Sequence, residues 1–165
     1  MLLGKVLATA GMEQNLHVTY LPSYGAEVRG GTAHSMVRIS SHTIGNPVIE
    51  KADTGIIMNE PSLVKFEKKI KPGGLLILNK SLIKEKVSRS DIDIVEVELT
   101  DEAIKLGNIK VANMIALSIF ATKKDIIKKE TLCDVVKKMG SAKKVLIEIN
   151  LKAIEIGIRI AEEKI

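Results

Sequence analysis

Two continuous apolar runs, separated by a helical segment that begins with proline, constrain the fold more than any other feature of this chain. Thr54 to Met58 and Leu75 to Asn79 lack the alternation of a strand with one face in water. Runs of this kind are typical of strands buried on both faces of a parallel sheet. Between them, Pro61 to Phe66 resembles a short helix, with Pro61 in the first turn, where its missing N–H is harmless. The succession of strand, helix and strand predicts a βαβ unit and an α/β fold.

The segments before these runs predict one helix and two further strands. Apolar residues at helical spacing predict a helix that ends near residue 14: Leu2, Leu3, Val6, Leu7 and Ala10. His17 to Pro22 is typical of a strand. Thr32 to Ser40 alternates with a period of two, which places His34, Met36 and Arg38 on one face of a strand. A turn around Gly45, Asn46 and Pro47 leads to the first buried run.

The rest of the chain predicts one more strand and a helical C-terminal part. Pro72-Gly73-Gly74 is expected to end the second helix before a strand at Leu75, and Ile92 to Leu99 is the next strand, with Thr100 as the following helix cap. The last helix is expected to bury one apolar face: Leu146, Ile149, Ala153, Ile156 and Ile160. The prediction is a single domain over residues 1–165, a Rossmann-like three-layer fold with a mostly parallel sheet flanked by helices.

Composition excludes several classes of protein. The single cysteine allows no internal disulfide and cannot supply the four ligands of an iron–sulfur cluster. Aromatic residues make up 2% of the chain, too few to stack nucleic-acid bases, and the lysines behind the net charge of +5 alternate with apolar residues as on solvated helices. No apolar run has the length of a membrane span and no signal peptide is evident, so we expect a cytoplasmic protein without nucleic-acid or membrane partners.

The loop LPSYGAEVRGGTA, residues 21–33, has the composition of a binding loop. Its glycines allow a ligand to approach the backbone closely, and its arginine offers a planar set of donors suited to carboxylate or phosphate. The alternative is an ordinary turn with a solvated pair between Glu27 and Arg29. The loop is longer than a tight hairpin turn needs, which favours recognition. The candidate contacts in it are Gly25, Arg29, Gly30 and Gly31.

Two asparagines are further candidates because of their position. Asn59 and Asn79 follow the two buried strands, and open α/β sheets bind ligands beyond the carboxyl ends of their strands. The alternative for each is a helix cap.

The other reactive residues form no catalytic or metal-binding motif. His17, His34 and His42 are not at metal-ligand spacing, and Cys133 lies at a helical position where a buried, unreactive thiol is expected. No G-x-S-x-G, P-loop or G-x-G-x-x-G occurs. No catalytic residue and no metal ligand is therefore assigned, and the chain alone is not expected to be a complete enzyme.

Several separated motifs resemble, in their order, the gamma subunit of the 2-oxoacid:ferredoxin oxidoreductases, from Leu2 to about residue 122. They are LPSYGAEVRGGTA, a strand ending in Arg38-Ile39-Ser40, IGNPVIEKAD, IIMNEPSL, KPGGLLILNKSLI and GNIKVANMIAL. The Ser-Tyr-Gly loop followed by Arg-Gly-Gly-Thr-Ala is most similar to the 2-oxoglutarate branch of the family. Two features differ. Ala26 stands where proline is commoner, and the sequence begins at Met1 inside the first helix, without the family's usual N-terminal strand and Gly-rich turn.

The resemblance implies a division of labour between subunits. Thiamine diphosphate and Mg²⁺ are held by other chains, [4Fe–4S] clusters pass electrons to ferredoxin, and coenzyme A accepts the acyl group. The gamma domain helps to bind coenzyme A and closes over the active site, while no cofactor is held by this chain alone. The expected partners are thiamine-binding and ferredoxin-like chains, with ferredoxin reached through the complex. The resemblance adds Ser23 and Tyr24 to Arg29, the loop glycines and the two asparagines as candidate contacts.

Three other functions are compatible with the sequence. The chain could be the gamma subunit of a pyruvate or branched-chain 2-oxoacid:ferredoxin oxidoreductase. It could instead be a noncatalytic α/β module that binds a nucleotide or a partner helix. A basic RNA-associated domain is the third alternative, and the scarcity of aromatic residues argues against it.

Overall fold

The computed structural model describes residues 1–24, 33–140 and 144–163, which form six α-helices and five β-strands. The helices are α1 (Leu2–Glu13), α2 (Glu60–Phe66), α3 (Leu99–Lys105), α4 (Ala112–Lys124), α5 (Lys129–Met139) and α6 (Lys144–Glu163). The strands are β1 (His17–Ser23), β2 (His34–Ser40), β3 (Ala52–Ile57), β4 (Ile70–Asn79) and β5 (Asp93–Val97). Single turns of 3₁₀ helix lie at Glu67–Lys69 and Ile109–Val111.

The strands form two separate sheets. β3, β4 and β5 make a parallel sheet in the order β3-β4-β5. β1 and β2 pair antiparallel, with Tyr20 opposite Val37. The predicted α/β fold with a parallel sheet flanked by helices is therefore confirmed. The separate antiparallel pair was not predicted, because periodicity indicates which segments are strands but not which strands are neighbours.

The strand β4 is covered on both faces, as expected for its continuous apolar run, whereas in β3 only Ile57 is fully buried. Leu75 and Ile77 of β4 belong to the larger core, which also contains residues of α1, α3, α4, α5 and α6. Leu76 and Leu78 belong to a second core with Leu63 of α2. Successive side chains of a strand point to opposite faces, so β4 separates two apolar layers.

Two of the predicted boundaries are wrong. β4 begins at Ile70, so Pro72-Gly73-Gly74 lies inside the strand instead of ending the helix before it. A Cβ at Gly74 would lie 2.8 Å from the Lys71 carbonyl oxygen, and the pairing register with β3 shifts nearby, between Ala52 and Thr54. Glycine therefore permits an irregularity within the strand. Thr100 is a residue of α3 rather than its N-cap, which is Glu98.

The C-terminal helices complete the larger core. α6 packs on α4 through Ala153, Ile154, Gly157 and Ala161, the buried residues of α6. Of the predicted apolar face, Ala153 is fully buried, whereas Leu146 is 38% exposed because the first turns of α6 extend beyond the packed part. Among the described residues, no helix combines the length and apolar character that a membrane span requires.

Candidate functional site

A cavity of about 770 Å³ lies between the two sheets and contains part of the predicted site. Its wall includes β2, β3 and the first turns of α1, and it reaches Asn59 and Ser62 where β3 passes into α2. Asn59 thus lies at the carboxyl end of a parallel strand, the place where open α/β sheets bind ligands. The start of β2, immediately after the predicted binding loop, lies against the same cavity.

Asn59 is the N-cap of α2. A helix cap was one of the two roles predicted for it, the other being a ligand contact. Its side-chain oxygen accepts a hydrogen bond of 3.1 Å from the Ser62 backbone N–H. The helix has Pro61 in its first turn. Since capping uses only the oxygen, the amide group of Asn59 retains its N–H donors for a ligand at the cavity.

Asn79 has a different environment. Its side chain is fully buried, and its amide donates to the Met58 carbonyl oxygen at 3.1 Å and to the Thr100 hydroxyl oxygen at 2.9 Å. Its oxygen accepts from the Thr100 backbone N–H at 3.3 Å. Asn79 therefore joins the ends of β3 and β4 to the start of α3.

The predicted contacts of the binding loop are described only at its start. Ser23 is the last residue of β1 and pairs with His34, and Tyr24 is 72% exposed. Gly25, Arg29, Gly30 and Gly31 lie outside the described residues, as does Glu27. The chain enters the loop from Ser23, on the strand next to β2, and His34, soon after the loop, lies on the cavity wall.

His34, which the sequence analysis left without a role, packs against an aromatic ring on the cavity wall. Its ring centroid lies 4.8 Å from that of Phe66, and the ammonium groups of Lys65 and Lys69 lie 5.5 and 5.6 Å from the centre of the same phenyl ring. Burial lowers the pKa of His34, and the two lysine charges lower it further. The sequence alternation placed His34 on a strand face, but it could not reveal Phe66 as its neighbour.

The pKa of His34 predicts a dependence of stability on pH. Because its pKa in the folded chain is below its usual value of about 6.5, the unfolded chain binds more protons in acid. At a pH well above 6.5, His34 should have no effect on the free energy of unfolding. As the pH falls below about 6.5, His34 should progressively lower that free energy. We expect His34→Gln to reduce this loss, measured by denaturant unfolding between pH 7.5 and pH 5. His42→Gln, in an exposed bend, is the matched control. An unchanged pH slope in His34→Gln would contradict the prediction.

The charges around the cavity suit an anionic ligand. Arg38 and four lysines line it, together with two carboxylates and with apolar residues; the charged residues are Arg38, Lys51, Lys69, Lys71, Lys124, Glu50 and Asp53. Lys71 is paired with Asp53 at 2.7 Å. Arginine and lysine bind phosphate and carboxylate groups, and apolar walls bind the uncharged part of a ligand. The cavity therefore matches a ligand that joins an apolar portion to anionic groups.

The same residues do not fit a metal cofactor. The sequence contains one cysteine, so it does not match an iron–sulfur cluster. Across residues 1–24, 33–140 and 144–163, no group of three His, Cys, Asp or Glu side chains could hold a metal ion. Burial raises the pKa of the Cys133 thiol, which keeps it protonated and a poor nucleophile.

The fold and this cavity agree with a family that the chain matches over nearly its whole length. The family model "Pyruvate ferredoxin/flavodoxin oxidoreductase" matches residues 1–160. The chain belongs to this family.

Two curated relatives are similar over most of this chain. The "Ketoisovalerate oxidoreductase subunit VorA" of Methanothermobacter thermautotrophicus is 28% identical over 164 residues, covering 99% of this chain and 34% of the relative. The "2-oxoglutarate synthase subunit KorC" of Methanocaldococcus jannaschii is 29% identical over 158 residues, covering 93% of this chain and 82% of the relative. The chain thus spans about a third of the length of VorA.

Two solved structures have the same fold. The gamma subunit of a keto/oxoacid ferredoxin oxidoreductase from Geobacter sulfurreducens superposes with a TM-score of 0.84 at 24% identity, covering 98% of this chain and 90% of that one. A 2-oxoglutarate:ferredoxin oxidoreductase from Magnetococcus marinus, solved with 2-oxoglutarate, coenzyme A and succinyl-CoA bound, gives a TM-score of 0.89 at 22% identity. That match covers 99% of this chain and 29% of the other.

Proposed function

We propose that this chain is the gamma subunit of a heteromeric, thiamine-diphosphate-dependent 2-oxoglutarate:ferredoxin oxidoreductase. The complex would convert 2-oxoglutarate, coenzyme A and oxidised ferredoxin to succinyl-CoA, carbon dioxide and reduced ferredoxin. This chain would help to bind coenzyme A and close the active site. The observation that carries the proposal is the cavity at the start of β2, in a chain that the oxidoreductase family model matches over residues 1–160.

The residues of the cavity support a part in binding coenzyme A. Coenzyme A combines phosphate groups with a long, less polar arm, and the cavity combines apolar walls with five cationic side chains against two acidic ones. Two further polar atoms on its wall, His34 Nδ1 and Arg38 Nε, are buried and have no hydrogen-bond partner among the described residues. Buried polar atoms without partners are costly, so a bound ligand that engages them would be favoured.

The other cofactors of the proposed reaction belong on partner chains. With one cysteine, the chain cannot hold a [4Fe–4S] cluster, and its described residues show no cluster of carboxylates or histidines for Mg²⁺. Thiamine diphosphate, Mg²⁺ and the clusters would be supplied by the thiamine-binding and ferredoxin-like subunits. The contribution of this chain is then to bind and orient coenzyme A and to exclude water.

A branched-chain 2-oxoacid is the second candidate substrate, because one relative is named a ketoisovalerate oxidoreductase subunit. The loop motif and the relative named 2-oxoglutarate synthase favour 2-oxoglutarate. Ferredoxin reduction by the purified native complex, measured with 2-oxoglutarate, 2-ketoisovalerate and pyruvate in turn, distinguishes them. We expect the highest kcat/KM with 2-oxoglutarate. A higher value with 2-ketoisovalerate would assign the complex to the branched-chain class.

Arg29→Ala tests the role of the binding loop. If the guanidinium group contacts a phosphate of coenzyme A, its loss removes a charge-assisted hydrogen bond of about 1.5–3 kcal/mol. The KM for coenzyme A in the assembled complex should therefore rise by about ten- to hundredfold, while decarboxylation of 2-oxoglutarate is largely retained. Steady-state kinetics with coenzyme A varied at saturating 2-oxoglutarate measures the change.

The control for this variant is Arg159→Ala. Arg159 is 66% exposed on α6 and lies 3.9 Å from Glu163, so its loss should leave the KM for coenzyme A unchanged. An unchanged coenzyme A dependence in Arg29→Ala would assign Arg29 to a surface pair with Glu27 or to a subunit contact, and would remove it from the ligand site.

A further inference from the structure

The side chain of Asn79 holds the peptide group that immediately precedes Asn59. The backbone pairing of β3 with β4 ends at Ile57, opposite Leu78. One residue further along, the amide of Asn79 donates to the Met58 carbonyl oxygen at 3.1 Å. Because a peptide group is planar, fixing the Met58 carbonyl group also fixes the N–H and the Cα of Asn59. A side chain thus continues the link between the strands up to a residue on the cavity wall.

Asn79 is itself held firmly enough to serve this purpose. It is fully buried, and its amide nitrogen also donates to the Thr100 hydroxyl oxygen at 2.9 Å, while its oxygen accepts from the Thr100 backbone N–H at 3.3 Å. Its backbone carbonyl oxygen accepts from the N–H groups of Leu82 and Ile83. A buried polar network with satisfied hydrogen bonds is rigid. An amide suits the position, because it can donate to a carbonyl group and accept from an N–H group at the same time.

We propose that Asn79 is a positioning residue for coenzyme A, acting through the peptide group of Met58 on Asn59. The inference rests on the proposed function, in which the N–H donors of Asn59 contact an oxygen atom of coenzyme A. The side-chain oxygen of Asn59 is engaged by Ser62, so the direction of the amide depends on the backbone that Asn79 holds. Without Asn79, the Asn59 amide can shift, and hydrogen bonds weaken when their geometry is lost.

A double-mutant cycle in the assembled complex tests whether Asn79 acts through Asn59. The variants are Asn59→Ala, Asn79→Ala and the double variant, and the KM for coenzyme A is measured at saturating 2-oxoglutarate. Loss of one ligand hydrogen bond should raise the KM about fivefold in each single variant, with kcat nearly unchanged. The double variant should also show a rise of about fivefold, rather than the product of about 25-fold, because both changes remove the same contact.

Thr100→Val is the matched control for a merely structural role. It removes the hydroxyl group to which Asn79 donates but retains the Thr100 backbone N–H and the bond from Asn79 to Met58. We therefore expect a lower Tm in Thr100→Val and an unchanged KM for coenzyme A. A KM that rises with the loss of Tm in both Thr100→Val and Asn79→Ala would assign Asn79 to stability alone.

Hydrogen exchange in the full chain gives a second measurement that does not depend on activity. The Ser62 amide donates to the Asn59 side chain at 3.1 Å, and the Lys110 amide donates to Asn108 in the same way and at the same distance. In Asn79→Ala, the Ser62 amide should exchange about tenfold faster relative to the Lys110 amide than it does in the unchanged chain. A general loss of stability would accelerate both amides alike.

The outcomes separate this inference from the proposed function. Succinyl-CoA formation with an unchanged KM for coenzyme A in Asn79→Ala or Asn59→Ala would overturn the positioning role and leave the proposed function in place. Multiplication of the two effects in the double variant would do the same. A complex that forms no succinyl-CoA would instead contradict the proposed function. Equal acceleration of the Ser62 and Lys110 amides would show that Asn79 does not hold Asn59, whatever the activity.

Discussion

Asn79→Ala should lower the free energy of unfolding by about 3–4 kcal/mol, the largest effect that we expect from a single polar side chain. The change leaves the Met58 carbonyl group and the hydroxyl and N–H groups of Thr100 without their partner in the core. Each buried polar group left unsatisfied costs about 1–3 kcal/mol. Thermal unfolding should show a fall in Tm of about 10 °C for a chain of this size.

Asn59→Ala is the matched control for this variant. Asn59 caps an exposed helix start through one hydrogen bond, so its loss should cost about 1 kcal/mol. Comparison of the two variants also distinguishes the functions of the two asparagines. In the assembled complex, Asn59→Ala should change coenzyme A binding more than its small effect on stability explains. A stability loss in Asn79→Ala no larger than that in Asn59→Ala would contradict the assignment of Asn79 as the link between β3, β4 and α3.

Gly157→Ala should lower the free energy of unfolding by about 2 kcal/mol or more, although alanine favours helices. A Cβ at this position would lie 2.0 Å from Ser118 Oγ and 2.4 Å from the Ile115 carbonyl oxygen, where α6 crosses α4. Overpacking of this kind typically costs about 1–3 kcal/mol, and at a contact this close the cost should exceed the gain of about 1 kcal/mol in helix propensity. Denaturant unfolding measures the change, provided that the slope of the free energy of unfolding against denaturant concentration stays constant.

Two further variants identify the cause of this effect. Gly45→Ala should be nearly neutral, because a Cβ there meets nothing within 4 Å. Ser118→Ala removes the side-chain oxygen but leaves the Ile115 carbonyl group in place, so the double variant Gly157→Ala/Ser118→Ala should recover only part of the stability. Full recovery, or no loss in Gly157→Ala, would show that the helices can separate at little cost.

The local elements of this fold were predictable because their signals are local. The bounds of α1 and the succession β3, α2 and β4 followed from apolar periodicity and from Pro61. The start of β4 was not predictable. Pro72-Gly73-Gly74 is usual in a turn, and here it lies between two stretches that pair with β3, Ile70 opposite Ala52 and Leu75 opposite Thr54. Thr100 was expected to cap α3, but its N–H is bound by Asn79, which is 21 residues away in sequence.

The candidate site was predictable only in part for the same reason. Asn59 could be placed because a strand end and a helix start are both visible in sequence. The contact between His34 and Phe66 joins residues that are far apart in the chain, and no periodic pattern reports it. The split between the two sheets likewise depends on which strand edges are neighbours, which hydrophobic patterning does not specify.

The most direct test of the proposed function is ferredoxin reduction by the purified native complex, with and without this chain. The assay would contain 2-oxoglutarate, coenzyme A and oxidised ferredoxin, and the chain would be removed by deletion and then added back in purified form. We expect this chain to co-purify with iron–sulfur and thiamine-binding subunits, and succinyl-CoA formation to require it. Full succinyl-CoA formation by the complex without this chain, or a chain that remains alone in its native extract, would contradict the proposed role.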